Sequence, residues 1–578
     1  MAGPHRLAAR GLDRLHAWMA RGHRGARGFV SDPEPRGFGS VTRGRQILAG
    51  RCLLAGQLVE IRGRDLWDVP ATTTGFDAAR HGFGWLDDLA AAGDARARST
   101  AQDWLWNWIG RFEGGRGPGW TPALTGRRAI RWVNHAAFLL HGRGESDRDL
   151  FLRALSRQCW FLSRRAQSAA PGVPRFEALS GLIVAALSME GRAALADPAV
   201  PLLARECDAQ IDATGGMPTR NPEELLRVFT LLTWTAADLH RAGRAVPTGH
   251  SAAIARIAPT LRALRHADGG LARFHGGGRG LNGRLDHALA ASGVKPRPID
   301  ARAMGYVRLA AGRTSVIVDA APPPAGAAAF TGHASTLAFE LTSGRRPMIV
   351  NCGSGAVFGD QWRRAGRATP SHSTLGLTGY SSARIATSGY ETGRCALIDG
   401  PRNVPVEMTE RPVGLLFWGG HDGYVAQFGL THARRLDLSF DGRSLSGEDM
   451  LLAIDRAHKR RFDRALQQGP QTGIGFDVRW HLHPEVQARL DPAAAVVTMT
   501  LRSGESWEFR TDNGVHLSLQ PGVYLDDTHL EPTRSRQIVV SAHAVGPETR
   551  IRWTLAKARD TAIAIRDLHQ DDEPGDDV

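Results

Sequence analysis

Between residues 68 and about 290, apolar side chains recur at intervals of three and four. The pattern is clearest in "AQDWLWNWIGRF", "RRAIRWVNHAAFLLHG", "RDLFLRALSRQCWFLSRRAQ", "RFEALSGLIVAALSM" and "NPEELLRVFTLLTWTAADLHRAG". That spacing puts one apolar stripe on each segment and predicts a series of amphipathic helices. Breaks such as "GGRGPGWTP" and "APGVP" separate them. Helix pairs of this kind can close into a ring, each burying its stripe against the next. After "KPRPID" the period changes to two. "MGYVRLAAGRTSVIVDA", "STLAFELTSGRRPMIVN", "HSTLGLTG", "RRLDLSFDGRSLSGEDMLL", "GFDVRWHLHPEV", "AVVTMTLRSGESWEFRT" and "IRWTLAKA" read as antiparallel strands joined by glycine turns. So many strands predict a large β-sandwich.

The expected organisation is an α+β multidomain chain, a helical ring followed by an antiparallel sandwich. Its parts are a flexible basic segment over 1–45, the ring over 46–294, a linker over 295–300, the sandwich over 301–565 and an acidic tail over 566–578, "RDLHQDDEPGDDV". The longest apolar run, "LSGLIVAALSM", is too short to span a bilayer and reads as a buried helix. No export signal gathers in "MAGPHRLAARGLDRLHAWMARGHRGARGF".

Composition narrows the picture only slightly. With 42% hydrophobic and 22% charged residues, the chain has the make-up of a soluble globular protein. The formal net charge is +14, and all the basic residues except Lys295, Lys459 and Lys557 are arginines. A guanidinium fork suits carboxylate, sulfate or phosphate, so an anionic substrate is permitted, although genomic base composition also produces such a bias. The arginines are spread out and no nucleic-acid-binding motif accompanies them, which argues against a nucleic-acid partner. Five scattered cysteines without a CxxC do not make a disulfide framework.

The candidate chemistry lies in "GHASTLAFELTSGRRPMIVNCGSG" and "RATPSHSTLGL". A strand–turn–strand reading of the first brings His333 near Asn351, and His372 opens the next strand. Two imidazoles and an oxygen donor can hold a divalent metal such as zinc; the alternative is a hydrogen-bonded polar cluster that pins strands together. Arg220 and Asn221, in "MPTRNPEELL", offer a carboxylate clamp or, in Asn221, simply an N-cap before Pro222. Arg367 is a second candidate clamp. His372 is a candidate base, and Tyr424 and His432 are candidate acids. A hydrolase using Asp87–Asp88 or Glu223–Glu224 is disfavoured, because adjacent positions diverge on a helix.

The words "GHASTLAFEL", "IVNCG", "HSTLGL", "GEDML" and "RWHLHPEV" resemble the C-terminal domain of the heparinase II/III family, and "TGGMPTRNPEELL" is similar to that family's α/α toroid. The resemblance implies an incomplete α/α toroid followed by a β-sandwich. It implies eliminative cleavage of an acidic, uronate-containing polysaccharide in a cleft between the two, by a carbon–oxygen lyase. It also implies a periplasmic or cell-envelope setting, with the cytoplasm as the alternative. In relatives, positions matching His333, Asn351 and His372 hold a metal through two histidines and an aspartate; here the aspartate position is Asn351. The family's toroid tyrosine and asparagine and its sandwich histidine are also unmatched. No tyrosine precedes Tyr306, Val173–Pro174 stand at the asparagine position, and Thr331 stands at the histidine position. A catalytically inactive polysaccharide-binding protein is therefore the alternative expectation.

Overall fold

Alternating periods predict alternating architectures, and the computed structural model shows how the chain divides between them. It describes residues 4–61, 64–71, 73–296, 301–387 and 395–558. Two compact units emerge: Met1–Gly215 with Glu224–Ala258 and Gly283–Pro296, and Gly216–Glu223 with Pro259–Asn282 and Arg297–Val578.

The first unit is helical apart from one short hairpin, Arg51–Leu54 with Gln57–Glu60. The helix Ala95–Phe112 starts where the Asp94 side chain accepts a hydrogen bond from Ala97 N–H at 2.7 Å. It then buries Ala97, Ala101, Trp104, Leu105, Trp108 and Ile109, which follow the three-and-four spacing. The run read as a buried helix is one: Val173–Ser188 is buried from Phe176 through Leu187. It lies against Pro122–Asn134 with backbones nearly touching, since a Cβ on Gly181 would stand 2.4 Å from Gly126 Cα. That close approach is why both positions are glycine.

The second unit is two antiparallel sheets. One has eight strands, in the order Val406–Arg411, Gly414–Tyr424, Leu430–Ser439, Ser444–Leu452, Glu548–Lys557, Ser506–Thr511, Val496–Thr500 and Gln487–Asp491. The other has nine strands. Its path runs from His516–Tyr524 through Thr533–Ala544, Ile474–Leu482, Arg346–Val350, Phe339–Ser343, Thr314–Asp319 and Tyr306–Ala311 to Arg302–Ala303, with Leu375–Leu377 paired to Ile474–Leu482. Inward side chains of both sheets make one core. Phe339 and Trp480 of one sheet meet Trp553 of the other, at ring distances of 6.0 and 5.2 Å.

Three expectations about organisation change. The segment 1–45 contains the helix Pro4–Met19, fastened by a buried Asp13–Arg165 ion pair at 2.7 Å, instead of a flexible arm. Residues 216–223 and 259–282, expected within the ring, belong to the second unit. The helix Arg456–Gln468 stands among the strands, anchored by the buried Phe462; its polar, basic sequence hid a three-and-four pattern carried by few apolar residues. Residues 297–300 of the expected linker and the acidic tail lie outside the described residues.

Candidate functional site

Three histidines converge in the second unit. His333 follows the short turn Gly326–Phe330, and His372 follows the turn Thr369–Ser371. Their rings lie 5.2 Å apart, and His275 stands 6.2 Å from His333. All three are buried. His275 Nδ1 accepts a hydrogen bond from His333 N–H at 3.1 Å, which leaves its proton on Nε2, 3.3 Å from Asp319 Oδ2. By contrast, Nδ1 of His333 and both ring nitrogens of His372 have no hydrogen-bond partner; the Gly366 carbonyl near His372 lies outside bonding geometry. Burial holds His333 well below the usual imidazole range and pushes His372 down to about 3, with neighbouring histidines adding to both shifts.

Asp319 is the hub beside them. Its Oδ1 takes Arg220 Nη2 at 2.5 Å, and its Oδ2 takes the Ser335 hydroxyl at 2.7 Å. Burial alone would raise this carboxyl; Arg220, His275 and Ser335 outweigh it and hold the group far below the usual carboxylate range. Arg220 and His275 both adopt left-handed backbone, φ 50° and 48°, a conformation uncommon outside glycine. Two such residues meeting on one carboxylate mark a site that the surrounding structure holds in place. Arg220 also donates to the carbonyls of Met304, Gly305, Ala321 and Pro322 and lies 4.8 Å over the Tyr306 ring, whose hydroxyl donates to the Arg220 carbonyl.

The other sequence candidates fall into structural roles. Asn221 Oδ1 accepts from Glu223 N–H at 3.0 Å, and its amide donates to His275 O at 3.2 Å; it caps the helix Pro222–Arg241. Arg367 spends its fork on the carbonyls of Gly332, Cys395 and Ala329, at 2.7 to 2.9 Å, instead of clamping an acid. Tyr424 is buried, donates to Leu375 O at 3.2 Å, and is driven by burial far above the usual phenol range. His432 lies in a chain whose tautomers are set: His421 Nδ1 accepts from Gly423 N–H, His421 Nε2 donates to His432 Nδ1 at 3.1 Å, and His432 Nε2 donates to Asp449 at 2.9 Å.

For a metal, the donors do not fit. His333 and His372 meet as expected, but Asn351 Oδ1 accepts from Ser373 N–H at 3.0 Å while its amide faces Glu340 Oε1 at 3.4 Å. His275, the nearest further imidazole, has one ring nitrogen accepting from His333 and the other facing Asp319. Among the described residues no group of three or more His, Cys, Asp and Glu is arranged to hold a metal ion. Zinc takes at least three protein donors, so no step is derived through one.

Sequence reasoning missed His275, Asp319 and Glu340. "RFHGGG" carried a signal, a histidine running into three glycines, but it sits amid helices and reads as an interhelical break. Glu340 accepts from His266 at 3.2 Å and from Arg273 N–H at 3.0 Å.

Comparison with known proteins places this geometry. The family model described as "Heparinase II/III-like, C-terminal" matches residues 293–554. The "FtsZ-localized protein C" of Caulobacter vibrioides is 31% identical over 567 residues, 96% of this chain and 93% of that protein. The chain belongs to the heparinase II/III family. Its fold is that of the family's solved members. The crystal structure of heparinase III matches with a TM-score of 0.66 at 13% identity, over 96% of this chain and 90% of that one. A mutant of heparan sulfate lyase HepC from Pedobacter heparinus matches with a TM-score of 0.55 at 14% identity, over 97% and 90%. No described helix is long and apolar enough to cross a membrane.

Proposed function

We propose that this heparinase II/III-family chain is a non-cleaving scaffold that localises with FtsZ, as the name of its 31%-identical relative says of that protein. The observation that carries this reading is the commitment of every candidate catalytic side chain to the protein's own groups. Elimination from a uronate needs a neutralised carboxylate, a base for the C5 proton and an acid for the departing C4 oxygen. Arg220 is neutralised by Asp319, Arg367 by carbonyls, and the Tyr424 hydroxyl is buried on Leu375 O. His372, held near 3, is too weak a base for efficient proton abstraction at neutral pH.

One observation favours the second reading, a lyase acting on an acidic polysaccharide: the unpartnered ring nitrogens of His333 and His372. Purified protein is incubated with heparan sulfate, alginate and hyaluronan while the ultraviolet absorbance of unsaturated uronate is followed. The scaffold reading expects no product, together with co-sedimentation on FtsZ assemblies and a fluorescent fusion that tracks FtsZ in cells. Product that disappears in His372→Ala would establish the lyase instead, and failure to associate with FtsZ would remove the proposed localisation.

A further inference from the structure

The helix Pro4–Met19 turns inside out the usual arrangement of a helix on a globular body. Its inward face carries the buried Asp13 and Ala17, and Asp13 reaches Arg165 of the helix Glu145–Arg165. Just beyond its end, His23 stacks on Trp160 with ring centres 4.4 Å apart. An ion pair, small side chains and one ring contact therefore fasten the element.

Its large apolar side chains face outward. Leu12, Leu15, Trp18 and Met19 are 46, 49, 60 and 44% exposed. At 3.6 residues per turn these four share one stripe, and the exposed Arg10 and Arg14 run along its border. Arg21, Arg24 and Arg27 are exposed beyond it. Between residues 8 and 31 the sole acidic residue is Asp13, which is turned inward. Four adjacent large hydrophobes in the open are a patch, not the scattered apolar residues of an ordinary surface.

A helix with an apolar face, a tryptophan on that face and a basic border matches the chemistry of a bilayer interface, where the apolar stripe enters the acyl boundary and arginines meet anionic headgroups. A second copy of the chain would set two arginine borders side by side, which like-charge repulsion opposes. We infer that Pro4–Met19 is a membrane-surface element that docks this protein, peripherally and reversibly, on an anionic lipid surface.

The test uses the full-length protein sedimented with vesicles of phosphatidylcholine alone or enriched in phosphatidylglycerol. Binding to the anionic vesicles is expected, weakened by added salt. It should fall at least about tenfold in Leu15→Glu/Trp18→Glu and, separately, in Arg10→Glu/Arg14→Glu. All four positions are exposed, and circular dichroism melts confirm folding; the arginine variant alone keeps the test decisive if the apolar one misfolds. Wild-type protein that ignores both vesicles, or binds neutral ones equally, overturns the inference. So does a folded Leu15→Glu/Trp18→Glu variant that binds as wild type does. A dimer dissolved by that variant, without vesicle binding, assigns the stripe to a second copy and also overturns it.

Discussion

Replacing Asp319 by asparagine tests whether the buried cluster is structural wiring. The substitution keeps the shape of the side chain and removes its charge, leaving Arg220, 9% exposed, without its counter-ion. A pair at about 3 to 4 Å with an effective dielectric near 20 is worth roughly 4 kcal/mol, and breaking a buried pair from one side costs about 3–5 kcal/mol. Four carbonyls still accept from Arg220, which places the expected loss near the lower end, about 3 kcal/mol. The Ser335 hydrogen bond adds up to about 1 kcal/mol. Urea unfolding followed by tryptophan fluorescence reads the loss, with Trp480, Trp507 and Trp553 reporting the second unit. Arg220→Met should also destabilise. The double variant should recover much of the Asp319→Asn loss, because no unpaired charge remains. A loss under about 1 kcal/mol for Asp319→Asn, or a double variant worse than the sum of the singles, would show that Asp319 and Arg220 do not act as a pair.

Other consequences can be measured alongside. His372 and His481 are held near 3 and 4, below the unfolded value of about 6.5, so neither affects stability above that pH. Below it the unfolded chain takes up protons that the folded chain refuses, and these two alone should remove about 3 kcal/mol per pH unit between about pH 6 and 4. A pH series of urea midpoints checks this, and His481→Gln should roughly halve that contribution. Asn351→Asp restores the aspartate seen in metal-holding relatives but sets a carboxylate against Glu340. Calorimetry should find no gained zinc affinity, and stability should drop by about 2 kcal/mol at neutral pH, a loss that eases on acidification as the shared site takes a proton. Gly181→Ala should cost the first unit about 1–3 kcal/mol by pressing on Gly126, whereas Gly110→Ala, with open space around it, should stabilise slightly; thermal melts of both compare them.

The helical and sandwich halves were legible because each element's pattern is local. Glu145–Arg165 and Val173–Ser188 follow stripes three and four residues apart, and the strand pair Tyr306–Ala311 and Thr314–Asp319 follows alternation around a short turn. The meeting of His333 and His372 was also legible, through motif words shared with a family. Their electrical state was not, since it depends on burial and on His275, whose place among helices gave no hint that it belongs with the strands. Arg220 read as a carboxylate clamp, and it is one, but for a carboxylate of its own chain 99 residues away.

By itself the sequence determined where helices give way to strands, which stretches are buried and which family the chain joins. Each of these follows from side-chain period and short motifs. Tertiary structure decided which charges cancel, which histidines stay neutral and which face of Pro4–Met19 looks outward. Leu12, Leu15 and Trp18 form the stripe that periodicity alone would bury, yet the Asp13–Arg165 pair turns the opposite side inward. Period depends on neighbours within a turn, whereas charge and burial depend on partners that only folding brings together.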